Sequence, residues 1–308
     1  MSTTAFISHA DCGRHDTGWQ HPEHVGRLRA ITRALRNRPE LFGAVEHVEG
    51  RHATDDELAL AHTSDYVRAV RQMAESGGGL LDPDTVVSAG SMDAARAAAG
   101  CLLDAVDRAV DGRSLRSFSA VRPPGHHALP DRGMGFCLFG NVALGALYAR
   151  RTHALDRVLI VDWDVHHGNG TQAIVERDAG IHFVSMHQWP WYPGTGAASD
   201  RGEGNVWNVP MAPGLPPHEY VEALQRAVDQ ATAGFVPQLV MISAGFDSLR
   251  GDPLGGFTFE MEHVDLLTRW LVERATAWCG GRVVSALEGG YAPERVAEAV
   301  VTHLAALC

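Results

Sequence analysis

Apolar and polar positions alternate in two distinct patterns along the chain. Six short runs predict strands, at 4–9, 116–121, 157–163, 181–186, 238–244 and 282–287, and several of them are apolar almost throughout. Four longer stretches carry apolar residues at helical spacing and predict helices, at 22–35, 91–110, 217–231 and 260–275. Strands that are apolar on both faces are typical of parallel sheets covered by helices. No linker interrupts this pattern, which predicts a single α/β domain over residues 1–308 with a mainly parallel sheet.

Polar segments follow the last five predicted strands directly. They are 122-RPPGHHA-128, 162-DWDVHHGNG-170, 185-SMHQ-188, 243-SAGFDS-248 and 288-EGGY-291. In open α/β sheets, ligands bind outside the carboxyl ends of the strands. We therefore expect these segments to meet at one site.

The composition limits the kinds of molecule that the protein is expected to bind. A net charge of −11 and a pI near 5.8 argue against direct nucleic-acid binding, which needs a basic surface, and favour a neutral or cationic substrate. No run of 18 apolar residues is present, and the start MSTTAFISHAD lacks the order of a signal peptide, so we expect a cytoplasmic protein without membrane contact. The five cysteines contain no CxxC pair and predict neither a disulfide framework nor a cysteine zinc site.

The segment after the third predicted strand has the residues of a metal site. Asp164 and His166 are two positions apart and would lie on the same side if the strand continued. Asp247, beyond the strand at 238–244, is the best candidate for a third ligand. Two carboxylates and one imidazole leave a fourth position open, as in catalytic zinc sites, and this hard set would also accept Fe²⁺ or Co²⁺. The alternative is that Asp164 and His166 only share a hydrogen bond.

Two further motifs predict proton transfer and oxyanion binding. His126 and His127 follow a rigid Arg-Pro-Pro-Gly segment, and Asp162 and Asn169 could orient the two imidazoles. Tyr291 follows two glycines, whose tight turn could aim the phenol at a developing oxyanion. The alternatives are a histidine pair on a surface loop and a tyrosine that simply packs in the core.

Taken together, these motifs resemble the zinc-dependent histone deacetylase family. The resemblance rests on RPPGHHA, GFCLFGN, DWDVHHGNGTQ, SMHQ followed by YPGTG, SAGFDSLRGDPLGG and EGGY in this order, with 21-HPEHVGRL-28 near the start. Trp163 and Asn169 are similar to class II and to the bacterial amidohydrolases, including the acetylpolyamine amidohydrolase group. The resemblance implies the arginase/deacetylase fold, a single domain around an eight-stranded, mainly parallel sheet.

The resemblance also implies a role for each matching residue. It makes Asp164, His166 and Asp247 the zinc ligands, His127 the general base and acid, His126 its electrostatic partner linked to Asp162, and Tyr291 the oxyanion donor. It implies a structural K⁺ bound by Asp162, Asp164, His166, Ser185 and Met186. Substrate would be bound by Gly135, Phe136, Leu254, Gly289, either Asp82 or Asp84, and one aromatic of Trp189, Trp191 and Tyr192.

The implied activity is removal of acetyl or acyl groups from N-acetyl-lysine or related small acylated amines. Leu254 gives no charge for a distal ammonium, which favours these substrates over acetylpolyamines, the main alternative. Tyr291 argues against a catalytically inactive acyl-lysine binder. An arginase-like manganese hydrolase would need a second set of paired Asp and His motifs, which we do not find. The sequence leaves open whether the chain forms a homo-oligomer.

Overall fold

The computed structural model describes residues 4–308; residues 1–3, which the predicted domain included, lie outside the described residues. Within residues 4–308, eight parallel strands form one sheet in the order β2-β1-β5-β10-β9-β6-β7-β8, and β3 and β4 form an antiparallel hairpin. The strands are β1 (Thr4–Ser8), β2 (Val45–Glu49), β3 (Gly78–Leu80), β4 (Val86–Ser88), β5 (Arg116–Ser119), β6 (Val158–Asp162), β7 (Ile181–Gln188), β8 (Val206–Met211), β9 (Leu239–Ala244) and β10 (Val283–Leu287).

Helices cover both faces of the sheet. They are α1 (Gly26–Arg36), α2 (Pro39–Ala44), α3 (Asp55–Leu58), α4 (Ser64–Glu75), α5 (Ser91–Asp111), α6 (Asn141–Thr152), α7 (Asn169–Val175), α8 (Pro217–Ala231), α9 (Met261–Cys279) and α10 (Pro293–Leu307), and a 3₁₀ helix spans Ala10–Arg14. Among the described residues, no helix combines the length and the apolar character needed to cross a membrane.

The sheet separates two hydrophobic cores, because side chains alternate along each strand. In β6, Val158 and Ile160 pack into the core under α5 and α6, whereas Leu159 and Val161 pack into the core under α8, α9 and α10. All five residues of this strand are buried. Burial on both faces explains why the central strands read as continuous apolar runs.

The predicted fold is confirmed, with differences at the edges. Each of the six predicted strands and four predicted helices is present, and the parallel eight-stranded sheet flanked by helices is as expected. The apolar pattern did not predict β2, an edge strand in which Glu46 and His47 are exposed, or β8 at the other edge. It also did not predict α6, which is buried from Asn141 to Ala149 and so lacks a polar face along this part.

Helix α1 begins at Gly26, four residues later than predicted, and the segment before it carries a buried charge cluster. The side chains of Glu23, Arg27 and Arg122 are fully buried. Arg122 Nη2 donates to Glu23 Oε2 at 2.7 Å, and Arg27 Nη1 donates to Oε1 at 3.2 Å. Arg27 Nε donates to the Gly290 carbonyl at 2.7 Å, and Arg122 Nη1 donates to the His15 carbonyl at 3.1 Å. The cluster thus joins three parts of the chain that are far apart in the sequence, residues 15–27, Arg122 and Gly290.

Removing the anion of this cluster should destabilise the whole fold. Burial opposes ionisation of Glu23, but Arg122 outweighs it and lowers the pKa of the carboxyl from 4.5 to about 2. Glu23→Gln would leave two buried guanidinium groups without their counter-charge, a change that typically costs about 3–5 kcal/mol. We expect a correspondingly lower free energy of unfolding in urea at pH 7, whereas Glu222→Gln on the exposed surface of α8 should have little effect.

The difference in free energy of unfolding between wild type and Glu23→Gln should decrease as the pH falls. A lowered native pKa contributes stability that is present above the unfolded value and is lost as pH falls toward the native value. The difference between wild type and Glu23→Gln should therefore be full above about pH 4.5 and shrink toward pH 2. Equal unfolding midpoints at pH 7 would show that the cluster does not stabilise the fold.

Candidate active site

The polar segments converge at the carboxyl edge of the sheet, as expected. They surround a cavity of about 220 Å³ that is lined by Asp84, His127, Gly135, Phe136, His166, Trp191, Tyr192, Leu254 and Tyr291. Loops after β5, β6, β9 and β10 all contribute side chains to this region. The site is therefore built from the ends of neighbouring strands that the buried sheet holds in register.

Two carboxylates and one imidazole meet at the base of the cavity. Asp164, His166 and Asp247 offer ligand atoms that all lie within 4.8 Å of one another, and all three residues are buried. His166 Nδ1 lies 3.0 Å from Asp164 Oδ1 and 3.1 Å from Asp247 Oδ2. The strand itself ends at Asp162. Asp164 and His166 consequently lie in the turn beyond β6, not on a continuing strand as the alternation argument assumed.

The electrostatics of this cluster fit a cation. Burial and the neighbouring Asp164 raise the pKa of Asp247 to about 7, because two buried carboxylates that lie this close repel each other when both are ionised. Burial opposes protonation of His166, but hydrogen bonds to Asp164 and Asp247 outweigh it and raise its pKa to about 10. The cluster therefore retains a positive charge between the carboxylates. A divalent ion on the same oxygen and nitrogen atoms would supply that charge in place of the proton.

Two glycines make room for the carboxylates. A Cβ atom at Gly289 would lie 2.1 Å from Asp247 Oδ2 and 2.6 Å from Asp164 Oδ2. A Cβ atom at Gly245 would lie 2.1 Å from Asp164 Oδ2. The Gly289 amide instead donates a hydrogen bond to Asp164 Oδ2 at 2.8 Å. Any side chain at either position would occupy the space in which the carboxylates converge.

The two adjacent histidines have different partners. His126 Nδ1 lies 3.0 Å from Asp162 Oδ2, and His127 Nδ1 lies 2.7 Å from Asn169 Oδ1. Their rings are 4.0 Å apart between centroids. The amide nitrogen of Asn169 donates to the sulfur of Met134, so its oxygen faces His127 and the Nδ1 atom of that ring carries the hydrogen. The Nε2 atom of His127 is left as an acceptor.

These partners separate the basicities of the two rings. Burial opposes protonation of His126, but the carboxylates of Asp164 and Asp162 outweigh it and raise its pKa well above the usual range. Burial and the charges of His126 and His166 hold the pKa of His127 well below the usual range. At neutral pH, His126 is therefore the cationic ring and His127 the neutral one, which suits a proton acceptor.

Tyr291 is held in place through its backbone and its ring. Its amide donates to Asp252 Oδ2 at 2.7 Å, and its ring lies 5.7 Å from that of Phe136 in an edge-to-face contact. The guanidinium carbon of Arg27 lies 5.3 Å from the ring centroid. Burial and the Asp247 charge raise the pKa of the phenol well above the usual range. The hydroxyl thus remains protonated and can donate a hydrogen bond into the cavity.

The rim residues that the sequence left as alternatives lie in different positions relative to the cavity. Asp84 lines the cavity, whereas Asp82 Oδ1 accepts the backbone N–H groups of Asp84 and Thr85 and so shapes the turn. Among the three aromatics, Trp191 and Tyr192 line the cavity and Trp189 does not. Leu254 also lines it, and its carbonyl accepts the indole N–H of Trp191 at 2.9 Å.

Gly135 and Phe136 also line the cavity. Both have left-handed backbone geometry, with φ of +57° and +68°. A Cβ atom at Gly135 would lie 2.4 Å from Cδ2 of His127, so the glycine allows the chain to pass against the ring. This backbone conformation is strained for a residue with a side chain such as Phe136. A hydrogen bond from the Phe136 amide to Thr85 Oγ1, at 3.0 Å, holds it in place. The backbone here places the phenyl ring beside Tyr291.

The residues expected around a potassium ion lie next to the acidic cluster. Asp162 in β6 pairs in register with Ser185 in β7, and Met186 follows. All three residues are fully buried. The Ser185 hydroxyl lies 3.0 Å from His187 Nδ1. The strand pairing thus brings a carboxylate, a hydroxyl and backbone carbonyls to the same level of the sheet.

Sequence analysis assigned no role to Glu288, although it quoted the motif that contains it. The buried Glu288 Oε2 accepts the amides of Gly125 at 2.7 Å and His126 at 3.1 Å, which fixes the backbone that presents the histidine pair. Burial raises the pKa of Glu288 to about 7. Glu288, His126 and Cys137 also lie close enough to hold an ion, but burial raises the pKa of Cys137 well above its usual range and keeps the thiol protonated.

Comparisons with known proteins agree with the motifs. A family model described as the histone deacetylase domain matches residues 21–307. The histone deacetylase-like amidohydrolase of Pseudomonas aeruginosa is 36% identical over 285 residues, which cover 89% of this chain and 75% of that protein. A probable deacetylase of Archaeoglobus fulgidus is 34% identical over 297 residues, 94% of this chain and 82% of that protein. The crystal structure of the HDA15 HD domain matches with a TM-score of 0.93 and 37% identity, covering 99% of this chain and 88% of that chain.

A methyl group at position 289 should disturb the acidic cluster without unfolding the protein. In Gly289→Ala the new Cβ would lie 2.1 Å from Asp247 Oδ2, so the carboxylates must move apart. We expect the affinity of the cluster for a divalent ion to fall by at least about tenfold, as when the support of metal ligands is lost. Competition with a chromophoric chelator measures this. Gly43→Ala, where the added atom meets nothing within 4 Å, is the control, and equal affinities in both variants would contradict the assignment.

Proposed function

The chain belongs to the histone deacetylase family of amidohydrolases, and on this premise we propose that it uses zinc to remove acetyl groups from N-acetyl-lysine or related acylated amines. The observation that carries this proposal is the buried Asp164, His166 and Asp247 cluster, which lies beside a neutral His127. The narrow cavity above it, about 220 Å³ in volume, suits an extended acyl-amine chain.

Asp164, His166 and Asp247 would hold the zinc ion. Their two oxygens and one nitrogen are a donor set found in catalytic zinc sites, and Fe²⁺ or Co²⁺ would also suit it. When bound, the ion supplies a Lewis acid that polarises the amide carbonyl and acidifies water. Asp162, Asp164, His166, Ser185 and Met186 would hold a structural K⁺, since the pairing of β6 with β7 brings Asp162 and Ser185 together.

His127 moves the protons in the proposed reaction. Its Nε2 atom has a free lone pair, because Nδ1 is engaged by Asn169, and so it accepts a proton from the attacking water. The same atom then gives a proton to the leaving amine. His126 keeps its charge through Asp162 and holds the pKa of its neighbour low, so that His127 is neutral when water attacks. Acetate and a free amine are the products.

Tyr291 would stabilise the oxyanion that forms on the acyl carbon. Tyr291 lines the cavity with His127 and His166, and the contacts to Asp252, Phe136 and Arg27 hold the residue in place. A donor that is oriented before reaction costs no reorganisation when the charge develops. Gly135 and Phe136 on one side and Trp191 and Tyr192 on the other would guide the methylene chain of the substrate.

An acetylpolyamine is the second candidate substrate, and Asp84 is the observation that favours it. Asp84 lines the cavity, and its carboxylate would attract a distal ammonium. Leu254 at the same rim is apolar and favours a peptide or a simple acyl-amine. The cytoplasmic location, the lack of direct nucleic-acid binding and the possibility of a homo-oligomer stay predictions from the sequence.

Removing the phenol hydroxyl should slow the chemical step. Tyr291→Phe retains the ring contacts and removes one oxyanion donor, a loss that typically lowers kcat by about 10²–10³. Steady-state kinetics on an acetyl-lysine peptide should show the fall in kcat with little change in KM. Tyr148→Phe in α6, away from the cavity, is the matched control. Unchanged turnover in Tyr291→Phe would exclude the proposed role.

A charge at Leu254 should change the choice of substrate. Leu254→Glu places a carboxylate near the position of a distal ammonium in an acetylpolyamine, and an acetyl-lysine peptide gains nothing from it. A partly shielded charge pair is worth roughly 1–3 kcal/mol, so the ratio of kcat/KM for polyamine over peptide should rise about tenfold or more.

The wild-type ratio decides between the two candidate substrates. It should favour the peptide or a simple acyl-amine over acetylspermidine. A wild type that already prefers acetylspermidine would show that Asp84, and not Leu254, governs recognition, and the polyamine proposal would replace the first one.

A further inference from the structure

A second group of metal-ligating side chains lies at the other half of the sheet. His9, Asp11 and His52 offer ligand atoms that are all within 4.8 Å of one another. His9 directly follows β1, Asp11 lies in the 3₁₀ helix Ala10–Arg14, and His52 lies three residues after β2. β1 and β2 are the outer strands, separated by β5, β10 and β9 from the strand that leads to the catalytic cluster. This group is therefore distinct from the proposed zinc site.

The backbone holds the three residues on a rigid frame. β1 and β2 are paired in parallel through Ser8 and Glu49, and the Gly50 amide donates to the Ser8 carbonyl at 3.0 Å just beyond them. Both strands therefore end at the same level of the sheet. The side chains are only partly exposed, at 16% for His9, 23% for Asp11 and 31% for His52. They are ordered by the fold and can still be reached from solvent.

The nitrogen atoms of the two histidines lie close to the Asp11 carboxylate. His52 Nε2 lies 2.9 Å from Asp11 Oδ2, and His9 Nδ1 lies 3.8 Å from the same oxygen. The two rings are 4.6 Å apart between centroids. Although it is close to the carboxylate, His52 Nε2 is buried and has no hydrogen bond of acceptable geometry. Ligands that share a metal point toward the ion and not toward each other, which accounts for a short but misaligned contact.

The ligand atoms of this group have few other partners. His9 Nδ1 accepts the Asp11 amide hydrogen at 3.1 Å, so an ion bound through this nitrogen would replace that one hydrogen bond. Arg14 Nη1 lies 3.5 Å from Asp11 Oδ1 but has a closer partner in Asp93, at 2.7 Å. The Oδ2 atom of Asp11 is left facing the two imidazoles.

We propose that His9, Asp11 and His52 bind a divalent first-row transition ion such as Zn²⁺, Co²⁺ or Ni²⁺, with water completing its coordination. Two imidazoles and one carboxylate are a donor set that suits these ions. The ion joins the end of β1, the 3₁₀ helix and the loop after β2. Because the Cys12 and His15 carbonyls of this segment accept hydrogen bonds from Arg122, the ion adds support beside the buried charge cluster. The site does not depend on the proposed deacetylase activity.

Titration of the full chain with Co²⁺, after removal of all metal by a chelator, tests this proposal. The wild type should bind one more Co²⁺ than His52→Ala or Asp11→Asn. The affinity for that ion should fall by more than the ~10–100-fold that loss of a supporting contact costs, since a ligand itself is removed. His218→Ala, an exposed histidine in α8, is the matched control and should bind as many ions as the wild type.

Two further measurements separate this site from the catalytic one. Asp247→Asn should retain the ion that His52→Ala loses, and His52→Ala should retain the turnover of the wild type. Circular dichroism checks that each variant is folded. If His52→Ala does not fold, the number of ions bound by the isosteric Asp11→Asn tests the proposal instead. If the wild type, His52→Ala and Asp11→Asn bind the same number of Co²⁺ ions, the group is only a His52–Asp11 ion pair and the proposal is wrong.

Discussion

The repulsion between buried carboxylates is the constraint on which the candidate active site depends. Asp162, Asp164, Asp247 and Glu288 are all fully buried at the carboxyl edge of the sheet. Burial opposes ionisation of every one of them, and in Asp247 and Glu288 it raises the pKa to about 7. Such a concentration of acids is tolerable only with positive charge among them. The charged imidazole of His126 supplies part of it, and a divalent ion would supply the rest at the point where Asp164 and Asp247 converge.

The surrounding fold maintains this arrangement at some distance from the chemistry. Arg27 and Arg122 share the buried carboxylate of Glu23, and Arg27 also reaches the backbone of the loop that carries Tyr291. One cluster therefore connects the segment before α1, the loop of the histidine pair and the loop after β10. The same parallel sheet that aligns these loops also aligns the ends of β1 and β2, where His9, Asp11 and His52 meet. Both sites follow from the rule that ligands gather at the carboxyl ends of parallel strands.

The central strands and the part of the acidic cluster formed by Asp164 and His166 could be predicted from the sequence, because both signals are local, whereas Asp247 lies 81 residues from His166. An apolar run followed at once by Asp162, Asp164 and His166 predicts where a buried strand ends and which polar side chains lie at its carboxyl end. The edge strand β2 mixes exposed polar residues with apolar ones, so its pattern is not distinctive. Contacts between residues far apart in the sequence could not be predicted either, such as the one between Arg122 and Glu23, which are 99 residues apart. The choice of Asp84 over Asp82 depends on a turn in which the Asp82 carboxylate is engaged by the backbone, and no pattern in the sequence specifies it.

The most direct test of the account is the metal dependence of acetate release from an acetyl-lysine peptide. The wild-type protein is assayed as purified, after removal of metal by a chelator, and after Zn²⁺ or Co²⁺ is added back. If the reaction proceeds as proposed, with the ion held by Asp164, His166 and Asp247, turnover should vanish on chelation and return with one equivalent of ion at this cluster. Asp247→Asn should show no such recovery. Turnover that persists at the full rate in metal-free protein would contradict the account.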